Sequence, residues 1–112
     1  MDNFSLKMCW LYLILAIILE VSGTISMKLS EGFSKPVPAV VMMVFYLIGL
    51  SLLAIALRKI DVSVAYAVWS GLGTALIAVV GILWFKEPVT ALKIVSIGLI
   101  ILGVLGLNMT MH

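Results

Sequence analysis

The sequence predicts an all-α membrane protein of four transmembrane helices, functional as an antiparallel, dual-topology dimer. Four apolar runs of roughly 20 residues, each long enough to cross a hydrocarbon core about 30 Å thick, follow one another with short polar breaks between them. Of the 112 residues, 64% are hydrophobic and 11% charged, and mean hydropathy is +1.32; an average soluble domain carries about 25% charged residues. A chain this small, made almost wholly of spans, builds no private core large enough for a substrate, so a site of any size needs a second copy.

The spans are expected near 8–27, 38–57, 63–85 and 90–108, as one domain over 1–112. Lys7 ahead of the first apolar run has the outline of a signal peptide, but Glu20 interrupts that run and no A-x-A-like site follows, so a retained span is expected. The breaks are 28–37, with Ser30-Glu31-Gly32; 58–62; and 86–89, with Lys86-Glu87-Pro88. Such short connections imply antiparallel neighbours. Pro38 and Pro88 fall where proline is tolerated, at or near a first helical turn, and Asp61 or Ser63 is placed to cap the third helix.

The net charge of +2 is spread among the spans with no basic tract, which sets nucleic acid aside as a partner. Cys9 is alone, so one chain builds neither a disulfide nor a metal cluster; no metal and no cofactor other than protons is expected. Lys and Arg gather on the cytoplasmic side of membrane proteins. Here the face holding the N-terminus and second break has Lys7, Arg58 and Lys59, and the opposite face has Lys28, Lys35, Lys86 and Lys93. So even a balance lets the chain insert both ways, and two opposed copies can pair.

The first span carries Glu20, an acid at bilayer depth. That costs about 2.5–3.5 kcal/mol even on insertion-based scales, and intramembrane acids are functional candidates by default. Leu13, Ala16, Ile17, Glu20, Gly23, Thr24 and Met27 share one helical face, and of these Ala16, Ile17, Gly23 and Thr24 are expected to line a substrate pocket beside the acid. Gly23 and Thr24 beside the acid either leave space for a substrate or, for Gly23, permit close helix packing. Ser22 and Ser26 point elsewhere and can satisfy themselves on preceding carbonyls. Burial disfavours the charged form of a carboxyl, and a second Glu20 nearby would couple the two titrations. Proton and organic cation then compete for one place, which suffices for antiport given alternate access to each side. The alternative is a protonated Glu20 that only hydrogen-bonds a neighbouring helix.

In the third span, Tyr66, Trp69, Gly73 and Leu76 lie on one face, with Ser70 one turn above Tyr66, and Tyr66, Trp69 and Ser70 are expected to line the pocket. These aromatics either hold a desolvated cation, at about 0.5–2 kcal/mol per contact, or belong to an interfacial belt. The Tyr66 hydroxyl is a candidate partner for Glu20. Gly71 and Gly73 read as a hinge or as packing notches. Tyr46 in the second span, on a face with Gly49, Leu50 and Leu53, is a further lining candidate; Trp10 and Trp84 read as interface anchors. In the fourth span Ser96, Gly103 and Gly106 offer small residues on one face, suited to a dimer contact.

These residues resemble the small multidrug resistance family of four-helix transporters. The likeness runs through Glu20-Val21-Ser22-Gly23-Thr24, Met27-Lys28, Ser30-Glu31-Gly32-Phe33, the stretch from Ala65 to Gly73, and Ser96 to Val104. It implies a bacterial multi-pass cell-membrane transporter rather than an enzyme. It also implies an antiparallel homodimer that exchanges protons for lipophilic cations at two copies of Glu20. Tyr46, Tyr66 and Trp69 would shape the site, and the fourth helices would form the contact. Gly23-Thr24, Trp69-Ser70-Gly71 and Tyr46 resemble the branch that exports quaternary ammonium compounds; the guanidinium branch usually has tryptophan at the position of Gly23. Phe85 to Leu92 resembles the guanidinium branch instead, while Gly49 and Ser96 depart from the common pattern, serine being common at the former and glycine usual at the latter. Guanidinium export therefore stays open, as do pairing with a homologue and a non-transporting subunit whose acid meets a partner helix.

Overall fold

The computed structural model describes residues 5–110. Its helices are α1 (Leu6–Leu29), α2 (Pro36–Ala56), α3 (Val62–Leu83) and α4 (Ala91–Asn108), each long and apolar enough to cross a membrane. No strand occurs among the described residues.

The helix ends follow local hydrogen bonding more closely than hydropathy. The Ser5 hydroxyl accepts the Met8 N–H at 3.2 Å, so α1 begins ahead of the apolar run. It ends at fully buried Ser30, whose hydroxyl donates to the Met27 carbonyl (2.7 Å) and accepts the Phe33 N–H (3.1 Å). That serine fastens a turn in which Glu31, Gly32 and Phe33 have φ of 50°, 70° and 67°, a left-handed stretch that only the glycine adopts without strain. Pro36 at the first position starts α2 earlier than expected, since proline there forfeits no helical hydrogen bond.

Asp61 holds the N-cap position of α3 but makes no capping hydrogen bond. At its far end α3 stops at Leu83, short of the expected residue 85. The N–H groups of Phe85 and Glu87 both return to the Gly81 carbonyl (3.2 and 3.0 Å), turning the chain back on the helix. Pro88 lies in the connection just ahead of the first turn of α4, which starts at Ala91 because the Thr90 hydroxyl accepts the Lys93 N–H (3.0 Å).

In lipid, helices associate through close packing and hydrogen bonds rather than through the hydrophobic effect. Helix α1 is central: it packs along α2 and also against α3, while α4 packs against α3. The buried cluster draws on Leu13, Ala16 and Ile17 of α1, Leu53 and Ala56 of α2, and Val64, Ala65 and Val68 of α3, but only Val104 of α4. The described chain measures 47 × 35 × 17 Å, and its thinnest dimension is less than two helix diameters of about 10–12 Å each.

Candidate cation and proton site

Glu20 sits on the second half of α1, where that helix meets both α2 and α3. Together with Tyr46, Gly49 and Leu50 of α2 and Trp69 of α3 it lines a cavity of about 260 Å³. Leu50 at its rim is exposed, so the cavity reaches the surface of the chain. A single carboxylate amid aromatic and aliphatic groups is the composition expected of a site that takes a cation carrying its own apolar surface.

Polar contacts fix one oxygen of the acid and leave the other bare. The Thr24 hydroxyl donates to Glu20 Oε1 at 3.1 Å and lies 2.7 Å from the Tyr46 hydroxyl. A threonine hydroxyl has one proton, so with that proton on Glu20 it is Tyr46 that donates to Thr24. The row therefore runs from Tyr46 through Thr24 to Glu20. Glu20 Oε2 is buried with no hydrogen-bond partner, and so is Trp69 Nε1. An unpaired buried polar atom is rare and costs about 1–3 kcal/mol.

Two glycines set this geometry by what they lack. A Cβ on Gly73 would stand 2.9 Å from Glu20 Oε2, and one on Gly23 would stand 2.6 Å from two ring carbons of Tyr46. Glu20 thus rests against bare α3 backbone, and the Tyr46 ring lies on bare α1 backbone with its hydroxyl at Thr24. Gly49 brings α2 close in the same manner: a Cβ there would be 3.4 Å from the Ala16 carbonyl oxygen.

Glu20, Tyr46 and Trp69 come together at the cavity, and Thr24 joins them by hydrogen bonding. Ala16 and Ile17 do not line it; at 0% and 3% exposure they are core residues of α1, since that helix has neighbours on two sides and its face is divided between site and core. The space expected beside Gly23 is taken by the Tyr46 ring. Tyr66 is 59% exposed and tilts against the Trp69 ring with centroids 5.7 Å apart; Tyr46, not Tyr66, joins the Glu20 network. Ser70 donates to the Tyr66 carbonyl (2.7 Å) and faces a groove between α3 and α4.

At the two hinge candidates, Gly71 and Gly73, α3 is continuous helix, and each closely faces a neighbouring helix. A Cβ on Gly71 would meet Val104 at 2.7 Å, so that glycine seats α4. Ser96, Gly103 and Gly106 are exposed, with nothing within 4 Å of a Cβ at either glycine. Ser22 and Ser26 donate to the carbonyls of Ile18 and Ser22 (2.8 and 3.1 Å). Gly49 and Leu50 complete the lining, and their spacing of three and four from Tyr46 puts them on its face.

Residues 8–100 match the family model described as Small Multidrug Resistance protein. The chain belongs to the small multidrug resistance family. It is 55% identical over 105 residues to the uncharacterized membrane protein YvaE of Bacillus subtilis (strain 168), covering 94% of this chain and 88% of that one. It is 41% identical to the multidrug resistance protein mmr of Mycolicibacterium paratuberculosis (strain ATCC BAA-968 / K-10), covering 92% and 97%. To the guanidinium exporter of Escherichia coli (strain K12) it is 35% identical, covering 94% and 100%. Four spanning helices together with this family make the chain a multi-pass bacterial membrane protein. Relatives named for multidrug resistance and for guanidinium export thus both align over nearly the whole chain.

Proposed function

We propose that this chain is a proton-coupled exporter of lipophilic organic cations, with Glu20 holding either a proton or the cation. The observation that carries the reading is Glu20 Oε2, buried and unpaired at a cavity whose other lining is aromatic and apolar. Such an oxygen is satisfied by one proton or by one cation, and the two exclude each other. A quaternary ammonium ion brings charge without N–H donors, so a site with one carboxylate and aromatic walls suits it; guanidinium brings an N–H donor on every side, most of which this lining would leave unpaired. The Tyr46 ring on Gly23 adds support, because a tryptophan there, as in the guanidinium branch, needs Tyr46 to move. The relative named guanidinium exporter keeps guanidinium as the second reading.

A second copy completes the site in this reading. The chain is 17 Å across its thin dimension and α4 offers Ser96, Gly103 and Gly106 on a bare surface, which favours an opposed homodimer meeting through its fourth helices. A paired homologue would serve the same geometry.

The test is transport by purified protein in liposomes, comparing tetraphenylphosphonium with guanidinium under a proton gradient. Faster, proton-driven movement of tetraphenylphosphonium is expected, with Glu20→Gln abolishing both transport and the proton released on cation binding. Cation affinity should fall as pH is lowered, by about tenfold per unit for one proton displaced per cation once Glu20 is mainly protonated; the Glu20→Gln protein should show no such dependence. Preference for guanidinium would establish the second reading. A purified chain that binds neither cation would point to a non-transporting subunit.

A further inference from the structure

A second cavity, of about 290 Å³, lies on the other side of Thr24. Its walls are Ile77, Ala78 and Gly81 of α3, and its mouth carries Lys28, Phe85, Glu87 and Lys93. Cation binding gives this space no task. It is built rather than left over: the Glu87 N–H returns to the Gly81 carbonyl (3.0 Å), and its carboxylate packs so tightly on Gly81 that any Cβ there would collide with it. Lys93 stands 3.9 Å from Glu87 Oε1 and donates to the Pro88 carbonyl (3.1 Å). Lys28, on α1, lies over the Phe85 ring at 5.7 Å. The connection between α3 and α4 is thereby folded back so that a carboxylate faces into the cavity.

Spacing along α1 links this mouth to the acid. Glu20, Thr24 and Lys28 recur every fourth residue on one helical stripe, at about 6 Å of rise per step. The loop face is thus roughly 12 Å from Glu20, with the Thr24 hydroxyl midway. Thr24 lines the second cavity and hydrogen-bonds the acid that lines the first. Its oxygen has two acceptor positions, one of them taken by Tyr46 and the other free for water. A water needs about 30 Å³, so the second cavity has room for several between Glu87 and Thr24.

Resting on the antiport reading above, we infer that protons reach and leave Glu20 through this second cavity, on a route separate from that of the organic cation. Glu87 collects a proton at the loop face, water in the cavity carries it inward, and Thr24 accepts it while passing its own hydroxyl proton to Glu20 Oε1, the oxygen it already contacts; a carboxyl protonated on either oxygen is neutral and no longer holds the cation. Each transfer forms one O–H bond as another breaks, and no charge is left on Thr24. The charged and titratable groups along the route are Glu87, Lys93 and Lys28 at the mouth, with Glu20 and Tyr46 at the inner end. The large cation uses the cavity of Trp69 and Leu50, so the two ligands compete for one carboxylate without sharing a path.

The experiment separates rate from equilibrium in the full-length protein reconstituted in vesicles. Ala78→Phe fills the second cavity and leaves the lining of the first untouched. Proton uptake after a pH jump, followed by stopped flow with an external pH dye, should slow by about a hundredfold or more, the range of a lost proton-transfer group. Affinity for tetraphenylphosphonium at high pH should stay that of the parent, because Ala78 is not part of the first cavity. Because phenylalanine at 78 strains helix packing, Glu87→Gln and the pair Thr24→Val and Thr24→Ser repeat the test independently; serine should restore the rate that valine loses, and Glu87→Gln should slow uptake. Unchanged uptake in Ala78→Phe and Glu87→Gln overturns the separate route, as does a proportional loss of uptake and cation affinity. If cation binding to the parent protein releases no proton at all, the antiport reading itself fails, an outcome distinct from the first two.

Discussion

The glycines of the first three helices and those of α4 differ in what stands beside them. A Cβ at Gly23, Gly49, Gly71 or Gly73 would meet a neighbour within the chain, whereas one at Gly98, Gly103 or Gly106 would meet nothing within 4 Å. The first set is used up in holding α1, α2 and α3 around the acid and in seating α4. The second set is spare in a single chain, which is the arrangement expected if α4 packs on something outside it. Substituting the two sets in parallel should therefore produce different failures, one of chemistry and one of assembly.

The largest effect is expected at Gly73→Ala. The atom displaced is the free end of a flexible side chain, Glu20 Oε2, so the fold absorbs the methyl but the carboxylate moves. A displacement of about 1 Å at a reacting group costs on the order of a hundredfold in rate, and liposome transport should drop by that order while unfolding in mixed detergent changes little. Equal losses of stability and transport would show that Gly73 is only a packing notch. Gly23→Ala should come next, at about 1–3 kcal/mol of stability as an overpacked contact, because the Tyr46 ring has to leave its seat; Tyr46→Phe, which removes only the hydroxyl on Thr24, should cost about 0.5–1.5 kcal/mol. At Gly103 or Gly106, leucine should leave the helical content of the chain intact and lower the dimer fraction measured by cross-linking. The smallest effect is expected for Gly98→Ala, within about 1 kcal/mol and favourable, since alanine is the better helix former. A strongly damaged Gly98→Ala protein would mean that a partner covers that face too.

Much of this arrangement is legible in the sequence and some is not, for reasons that can be named. The spans are visible because lipid demands long apolar runs, and Glu20 is visible because it breaks one. Helix ends are less so: Ser5, Ser30 and Thr90 extend, stop or delay helices by hydroxyl hydrogen bonds that hydropathy does not register. Tyr46 and Trp69 are findable as aromatics on the second and third spans, but periodicity gives directions within one helix and not the order of helices around it. Hence the Thr24 hydroxyl could be put beside Glu20 from its spacing of four, while the choice of Tyr46 over Tyr66 as its partner required the packing of α2 on α1. Ala16 and Ile17 went astray for the same reason, since a stripe that touches two neighbours cannot be divided between them by spacing alone. The uses of Gly71 and Gly73 were equally hidden, because what a glycine makes room for belongs to another helix.

The 17 Å thickness of the chain bears on abundance as well as on shape. If a second copy completes the site, pairing is governed by mass action within the plane of the bilayer, so the relevant concentration is the number of chains per unit of membrane area. Transport per chain should then climb with the protein-to-lipid ratio and level off once pairs predominate, whereas sparse chains would stay idle.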